Sequence, residues 1–451
     1  MGNARDATAS DEGLSVAVVS LGCARNLVDS EVMIGLLRQA GHRFVEDVRD
    51  ADAIVVNTCG FIREAKEEAI EALLELSELK REGRCRALVC CGCLTQRYYA
   101  ELPAELPEVD AFIGTGAIVE LPAALKAIAA GERPTIVGEP EFLYSHDTPR
   151  VRTGPPWLTY IKIGEGCDHE CTFCAIPAAR GRMRSREVES VVTEFRSLAA
   201  DGAVKEVVLI GQDTTSYGRD LYGRCMLPAL LERLSECDFN GWVRLLYGHP
   251  AHLTDETIDA VVRSPHVVNY FDIPMQHAAP RILRAMGRQE TVGENLRLIE
   301  RVRERCPGAA IRTTFLVGFP GETNHDSEEL LDFVTAARID RVAGFVFSPE
   351  EDTPAATMAD QVPRELAEER LIHLLAHQAD VSKACNEALV GQRMQVLIEA
   401  VSDTEAVGRS YRDAPEVDAE VLVAGYRGEP GEFVTAVITE AEVHDLRGRA
   451  L

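Results

Sequence analysis

No stretch of about 18 or more apolar residues occurs in this 451-residue chain, so the sequence offers no candidate for a membrane-spanning helix. The N-terminal MGNARDATASDEG also lacks the apolar centre of a secretory signal, and its first dozen residues are expected to be loose. The expectation is a soluble, cytoplasmic protein with no membrane partner. Basic residues are scarce as well: 47 Lys plus Arg stand against 73 Asp plus Glu, a formal charge of -26. That balance excludes a general nucleic-acid binder, because phosphate affinity comes mainly from clustered Lys and Arg that release counterions. An acidic surface suits a basic partner, or it serves solubility alone. Internal repeats and low-complexity tracts are absent too. What remains, 46% hydrophobic and 27% charged residues, is ordinary globular composition with room for two or three domains.

Cysteine is the residue in surplus. Thirteen is an odd number, and in a large chain without secretion signals it points to metal ligation or redox chemistry before a disulfide framework.

Along the chain, apolar strands first alternate with amphipathic helices: SVAVVSL (15–21), a helix near 27–40, DAIVVNT (52–58), a helix near 61–80, then RALVCCG (86–92). Continuous apolar strands separated by helices predict a parallel α/β sheet over 14–130. Periodicity is lost and Pro and Gly accumulate in 131–152, which reads as a linker. Six more strand–helix units follow, at 157–163, 205–211, 242–248, 267–273, 311–318 and 341–347, and a long helix from about 363 closes a domain spanning 153–384. They predict a partial or complete β/α barrel, with a doubly wound open sheet as the competing topology. Short β-type runs separated by Gly, Asp and Pro then predict a small all-β barrel over 385–451.

Two sets of cysteines stand out. GEGCDHECTFCAIP gathers Cys167, Cys171 and Cys174 in one loop after the first strand of the second domain. Thiolates so close repel unless a metal neutralises them. Structural zinc would want a fourth ligand, which no following His or Cys supplies, and His169 inside the loop would strain a tetrahedral set. Three thiolates suit a cubane iron–sulfur cluster with one iron open. The second set is dispersed: Cys23 in SLGCARN, Cys59 in VNTCGF and Cys93 in CGCLTQR, each just past the end of a predicted strand. In a parallel sheet those ends share one edge, where ligands bind, so the three can converge. Three separately buried apolar cysteines are the alternative.

The first loop resembles the radical SAM superfamily, including the aromatic Phe173 before its last cysteine. The second set is similar to the N-terminal domain of the radical SAM methylthiotransferases, and GCLTQR matches that family's third motif, which selects Cys93 over Cys85, Cys90 and Cys91. The resemblance spans about 14–451 and implies a methylthiotransferase domain, a radical SAM domain with a partial TIM-like barrel, and a TRAM barrel. It implies two 4Fe-4S clusters and S-adenosyl-L-methionine, one cluster generating a 5′-deoxyadenosyl radical and the other delivering sulfur, with a separate S-adenosylmethionine giving the methyl group. A reductant such as a flavodoxin system and a sulfide source are implied as well. GQDTTSYG (211–218), YFDIPMQH (270–277) and GRSYRDAPEVDAEV (408–421) look like the branch that methylthiolates an aspartate β-carbon on protein twelve of the small ribosomal subunit. Charge agrees: residues 386–451 carry six Arg, no Lys and thirteen acids, which fits a basic ribosomal protein, free or on the subunit, better than RNA. Direct RNA binding is not expected to dominate. Transfer-RNA adenosine methylthiolation, a radical SAM reaction of different outcome, and a non-enzymatic ribosome-binding module are the alternatives.

Gln212 and Asp213 follow the second barrel strand and Gln276 the fourth, where polar groups face a barrel mouth. They are candidates for holding S-adenosylmethionine, with helix caps or loop hydrogen bonds as the alternative. GFPGET (318–323) offers glycines for close backbone approach. Arg180, Arg182, Arg184 and Arg186 could neutralise carboxylates of cofactor or substrate, or form a solvated basic edge.

Overall fold

The computed structural model describes residues 13–451; the segment expected to be loose lies outside the described residues. Two compact units are present, one comprising residues up to Thr153 together with Ala178–Gly181, the other Gly154–Pro177 and Arg182–Leu451.

The first unit is built on six parallel strands, β1 (Ser15–Ser20), β2 (Arg43–Phe44), β3 (Ala53–Thr58), β4 (Ala87–Gly92), β5 (Ala111–Ile113) and β6 (Thr135–Ile136), in spatial order β2-β1-β3-β4-β5-β6. Strands β3 and β4 are buried along their whole length, as their unbroken apolar runs require. The order reverses between β1 and β3. Such a switch point opens a crevice beyond the carboxyl ends of the strands, because the connections on either side leave in opposite directions. Helix α1 (Ala24–Gln39) follows β1 and α2 (Arg63–Arg81) follows β3. Helix α1 is unusual in burying Asn26, Asp29, Ser30 and Glu31. Polar groups are buried at a cost unless partnered, so this face carries more than packing.

Residues 131–152 are not a free linker, which corrects the sequence expectation. Strand β6 extends the sheet beside β5, and Arg150 returns to α1 to bond Glu31 at 2.6 Å. Two residues of strand are too short to leave a periodic signal.

In the second unit, β7 (Leu158–Lys162), β10 (Glu206–Ile210), β11 (Trp242–Leu245), β12 (Tyr270–Asp272), β13 (Ala310–Val317) and β14 (Arg341–Val346) run parallel, with a small antiparallel pair β8 (Gly164–Glu165) and β9 (Arg184–Ser185) beside them. Spatial order follows chain order, and a Val243–Val267 bridge joins β11 to the segment entering β12. A doubly wound sheet would reverse direction at a switch point; this arc does not, so the partial barrel is the correct reading.

Strands β15 (Arg393–Val401), β16 (Glu405–Ser410), β17 (Val421–Ala424), β18 (Phe433–Ala441) and β19 (Leu446–Ala450) close a barrel in the order β15-β16-β17-β19-β18, which leaves no open edge. Its arginines dock it against the neighbouring strands. Glu206 on β10 accepts from Arg244 of β11 and from Arg409 of β16, each at 2.7 Å, with all three side chains buried. Arg412 pairs with Asp340, and Arg341 with Asp413 at 2.8 Å. Arg312 spans Asp272 at 3.0 Å and Asp418 at 3.2 Å. The motif GRSYRDAPEVDAEV therefore supplies internal ion pairs, and the barrel's remaining four arginines face eleven remaining acids.

Candidate functional site

In the first unit, the three dispersed cysteines lie at the switch-point edge. Cys23 caps α1 in extended conformation, Cys59 follows β3, and Cys93 opens the short helix α3 (Cys93–Tyr98) after β4. The intervening glycines permit their approach. Gly22 has φ +92°, and a Cβ there would stand 2.8 Å from the Cβ of Cys59; a Cβ on Gly60 would stand 2.8 Å from the carbonyl carbon of Cys93. Asn26 ties the loops together by donating to the carbonyls of Leu21 (2.8 Å) and Thr58 (3.1 Å), while Asn57 donates to the Asn26 carbonyl at 2.8 Å. Cys85, Cys90 and Cys91 are buried: Cys90 and Cys91 lie within β4, and Cys85 joins the same apolar cluster as Cys90.

Electrostatics divide the three. Burial alone would raise the Cys23 thiol, but the Arg25 and Arg180 charges and nearby backbone N–H groups bring it below its ordinary value. Burial pushes Cys59 up to about 11, helped by Cys93 and Cys23; Cys93 is raised mainly by burial, against the pull of Arg180. Mutual repulsion of this kind is what a bound cationic cluster removes, so the donor set fits one. Arg180, spotted in the sequence as a possible carboxylate partner, is buried here. Its Nε donates to Cys93 Sγ at 3.1 Å and its Nη1 to Asp29 at 2.6 Å.

In the second unit, the Cys167–Cys174 loop follows β8. Backbone bonds hold it: Thr172 N donates to Met286 O at 3.0 Å, Ala355 N to Thr172 O at 2.9 Å, and Cys174 N to Cys171 O at 3.0 Å. Cys167 is pushed up to about 11 and Cys174 to about 12, by burial first and by neighbouring thiols as well. Three half-buried thiols in one short loop again fit a metal cluster, and the loop offers three cysteine ligands and not four.

The expected cofactor residues separate in role. Asp213 is saturated within the protein: Oδ1 accepts from Thr215 N at 2.9 Å and Ser216 N at 3.2 Å, and Oδ2 lies 2.7 Å from His169 Nε2 and 2.9 Å from His252 Nδ1. Burial alone would raise this carboxyl, but hydrogen bonds from the side chains of His169, His252, Ser216 and Thr215 hold it well below its ordinary range. It therefore caps a turn and fixes His169, which sits between two cysteines of the loop. Gln212 donates to Glu165 while its buried Oε1 has no partner. Gln276 is held at φ +70°, its N–H on Thr314 O at 2.8 Å and its carbonyl accepting from Leu316 N at 2.7 Å. A non-glycine residue in that region costs about 1–3 kcal/mol and persists where its surroundings enforce it.

Sequence reasoning missed His249 and His252. The ring of His169 stacks on that of His249 with centroids 4.1 Å apart and planes 18° from parallel. One ring nitrogen from each histidine lies within 4.8 Å of the others, but stacked rings clustered on Asp213 pack together more than they aim lone pairs at one point. Their signal was position, in GHPAH just beyond β11. In the arginine run, Arg186 is buried against Glu194 at 2.6 Å, whereas Arg182 has a 90% exposed side chain. GFPGET is organised by Glu322, which accepts from Gly318 N and, at 3.1 Å, from Phe319 N.

Three family models match in series: the uncharacterized protein family UPF0004 over 15–114, the radical SAM superfamily over 161–334 and the TRAM domain over 390–451. The fold is similar to that of the radical S-adenosylmethionine methyltransferase TsrM from Kitasatospora setae, with TM-score 0.56 at 18% identity over 86% of this chain and 79% of that one. The class is thus a radical SAM enzyme with a UPF0004 domain before its barrel and a TRAM barrel after it. Curated relatives narrow it. The ribosomal protein uS12 methylthiotransferase RimO of Heliobacterium modesticaldum is 47% identical over 97% of this chain and 95% of its own, and that of Desulforudis audaxviator is 47% identical over 98% of both. The RimO of Clostridioides difficile is 41% identical over 97% of this chain and 99% of its own. The chain belongs to the ribosomal protein uS12 methylthiotransferase RimO family. No helix among the described residues is long and apolar enough to cross a membrane.

Proposed function

We propose that this protein methylthiolates the β-carbon of an aspartate in ribosomal protein uS12. The carrying observation is the pairing of two three-cysteine sets, one on the barrel loop and one at a parallel-sheet switch point, in a chain of the RimO family. Cys167, Cys171 and Cys174 would hold a 4Fe-4S cluster with S-adenosylmethionine, and Cys23, Cys59 and Cys93 a second cluster. When bound, these groups supply one-electron cleavage of S-adenosylmethionine, radical removal of a β-hydrogen, and sulfur that carries a methyl group to the carbon.

The chain's own residues do the arranging. Asp213 orients His169 and so sets the shape of the cysteine loop. Gln212 Oε1 is a buried acceptor without a partner, and the ammonium of S-adenosylmethionine is a suitable donor for it. The side chain of Gln276, on a backbone fixed by two bonds, is a second contact of that kind. The acidic barrel favours encounter with a basic ribosomal protein over an RNA backbone, since its arginines Arg409 and Arg412 are engaged internally. A reductant of the flavodoxin type would complete the system, working in the cytoplasm. The test is anaerobically reconstituted enzyme given uS12 or a transfer RNA in parallel. A methylthio group gained by the uS12 aspartate alone supports the reading; gain on a tRNA adenosine alone overturns it.

A further inference from the structure

Arg180 stands six positions past Cys174 in sequence, yet its side chain is 96% buried among residues of the first unit. Each nitrogen of its guanidinium has an acceptor. Nε donates to Cys93 Sγ at 3.1 Å, Nη1 to Asp29 Oδ2 at 2.6 Å, and Nη2 to Asn26 Oδ1. Asp29 and Asn26 lie one turn apart on α1, the helix that Cys23 caps, so the planar fork braces one cysteine-bearing element while its third donor meets the sulfur on another. The preceding residue is fixed too, because the Ala179 carbonyl accepts from Thr115 Oγ1 at 2.7 Å.

Asp29 already balances the charge of Arg180, so the bond to sulfur is not needed to neutralise a buried guanidinium. A metal-bound thiolate keeps lone pairs that accept such a bond. Donors to the sulfurs of an iron–sulfur cluster favour its reduced, more negative state and thereby raise its potential.

We propose that Arg180 is a positioning residue that raises the reduction potential of the cluster held by Cys23, Cys59 and Cys93, through its Nε–H bond to the Cys93 sulfur. The inference rests on the reading of those cysteines as cluster ligands. Arg180 thereby sets how readily the sulfur-delivering site takes up an electron, and Asp29 and Asn26 act through it by fixing the plane of the fork.

The test uses the full chain with Cys167, Cys171 and Cys174 all replaced by Ala, so that about four irons report only the remaining set. A potentiometric titration followed by electron paramagnetic resonance reads the midpoint. Arg180→Gln is expected to keep its iron and to lower the reduction equilibrium constant about tenfold, about 59 mV for a one-electron couple. Unchanged potential in an iron-replete Arg180→Gln overturns the inference and leaves Arg180 a structural pin. Should Arg180→Gln lose its iron, Arg180→Lys, which keeps the charge without the planar donor, is read the same way; iron loss in both also overturns it. A parent without iron defeats the cluster reading itself, a result distinct from the other two.

Discussion

Replacing Glu206 by Gln removes the one negative charge shared by two buried arginines. Arg244 and Glu206 have fully buried side chains and Arg409 is 3% exposed, so neither guanidinium can turn to water. The amide presents an NH2 group to one of two donors that previously met a carboxylate. Breaking a buried ion pair by removing one partner costs ~3–5 kcal/mol. Partial compensation remains here: Arg409 keeps Glu399 at 2.8 Å, and Arg244 keeps the Tyr411 carbonyl at 2.8 Å and the Tyr270 ring at 4.6 Å. The lower end of the range, ~3 kcal/mol, is therefore expected, which is more than a hundredfold in an opening equilibrium. Native-state hydrogen exchange at the amides of β10 and β16 reads that equilibrium directly. Glu399→Gln is the contrast, since Glu399 is 30% exposed and its pair is worth at most ~1 kcal/mol. Equal protection in the two variants would refute the claim that Glu206 holds the barrel in place.

Cys93→Ala should reduce reconstituted iron from about eight to about four per chain while 5′-deoxyadenosine still forms under reducing conditions; Cys171→Ala should abolish 5′-deoxyadenosine formation. Cys90→Ala should leave iron unchanged and cost only packing, because its thiol is buried in β4 with Thr95 donating to it at 3.2 Å. The Asp213 carboxyl is held below its ordinary 3.8, so its contribution is fully present above that value and is lost as pH falls further. Protection factors at residues 213–216, corrected for the intrinsic pH dependence of exchange, should thus stay constant from pH 7 to about pH 5 and fall only below about pH 4. Changing exposed barrel acids together, Glu420→Lys with Glu429→Lys and Glu440→Lys, should raise KM for uS12 several-fold and reduce its salt dependence, with kcat unchanged.

Much of this was legible in the sequence, for physical reasons that differ by element. Buried strands such as AIVVNT and ALVCCG announce themselves as apolar runs, and placing Cys23, Cys59 and Cys93 beyond strand ends was enough to anticipate one edge. Spatial order was not legible: nothing local in RFVEDV says that β2 lies outside β1, and that reversal is what makes the edge a crevice. Strands β16 and β19, EAVGRS and LRGRA, escaped because Gly408 and Gly448 and the arginines interrupt apolar alternation; a Cβ on Gly408 would collide with the Leu397 carbonyl oxygen at 2.2 Å. Arg180 could be flagged as basic but not assigned, since its acceptor Cys93 lies 87 positions away. Position beyond a strand marked Asp213 as a polar group at the barrel mouth, but its bonds to the turn and to His169 come from residues whose placement only the fold provides.

The central claim is tested most directly by mass spectrometry of uS12 from cells with and without this gene. A methylthio increment is expected on one aspartate; it vanishes on deletion, returns with the intact gene, and does not return with Cys93→Ala or Cys171→Ala. An increment that persists in the deletion strain, or that the Cys93→Ala gene restores, would contradict the claim.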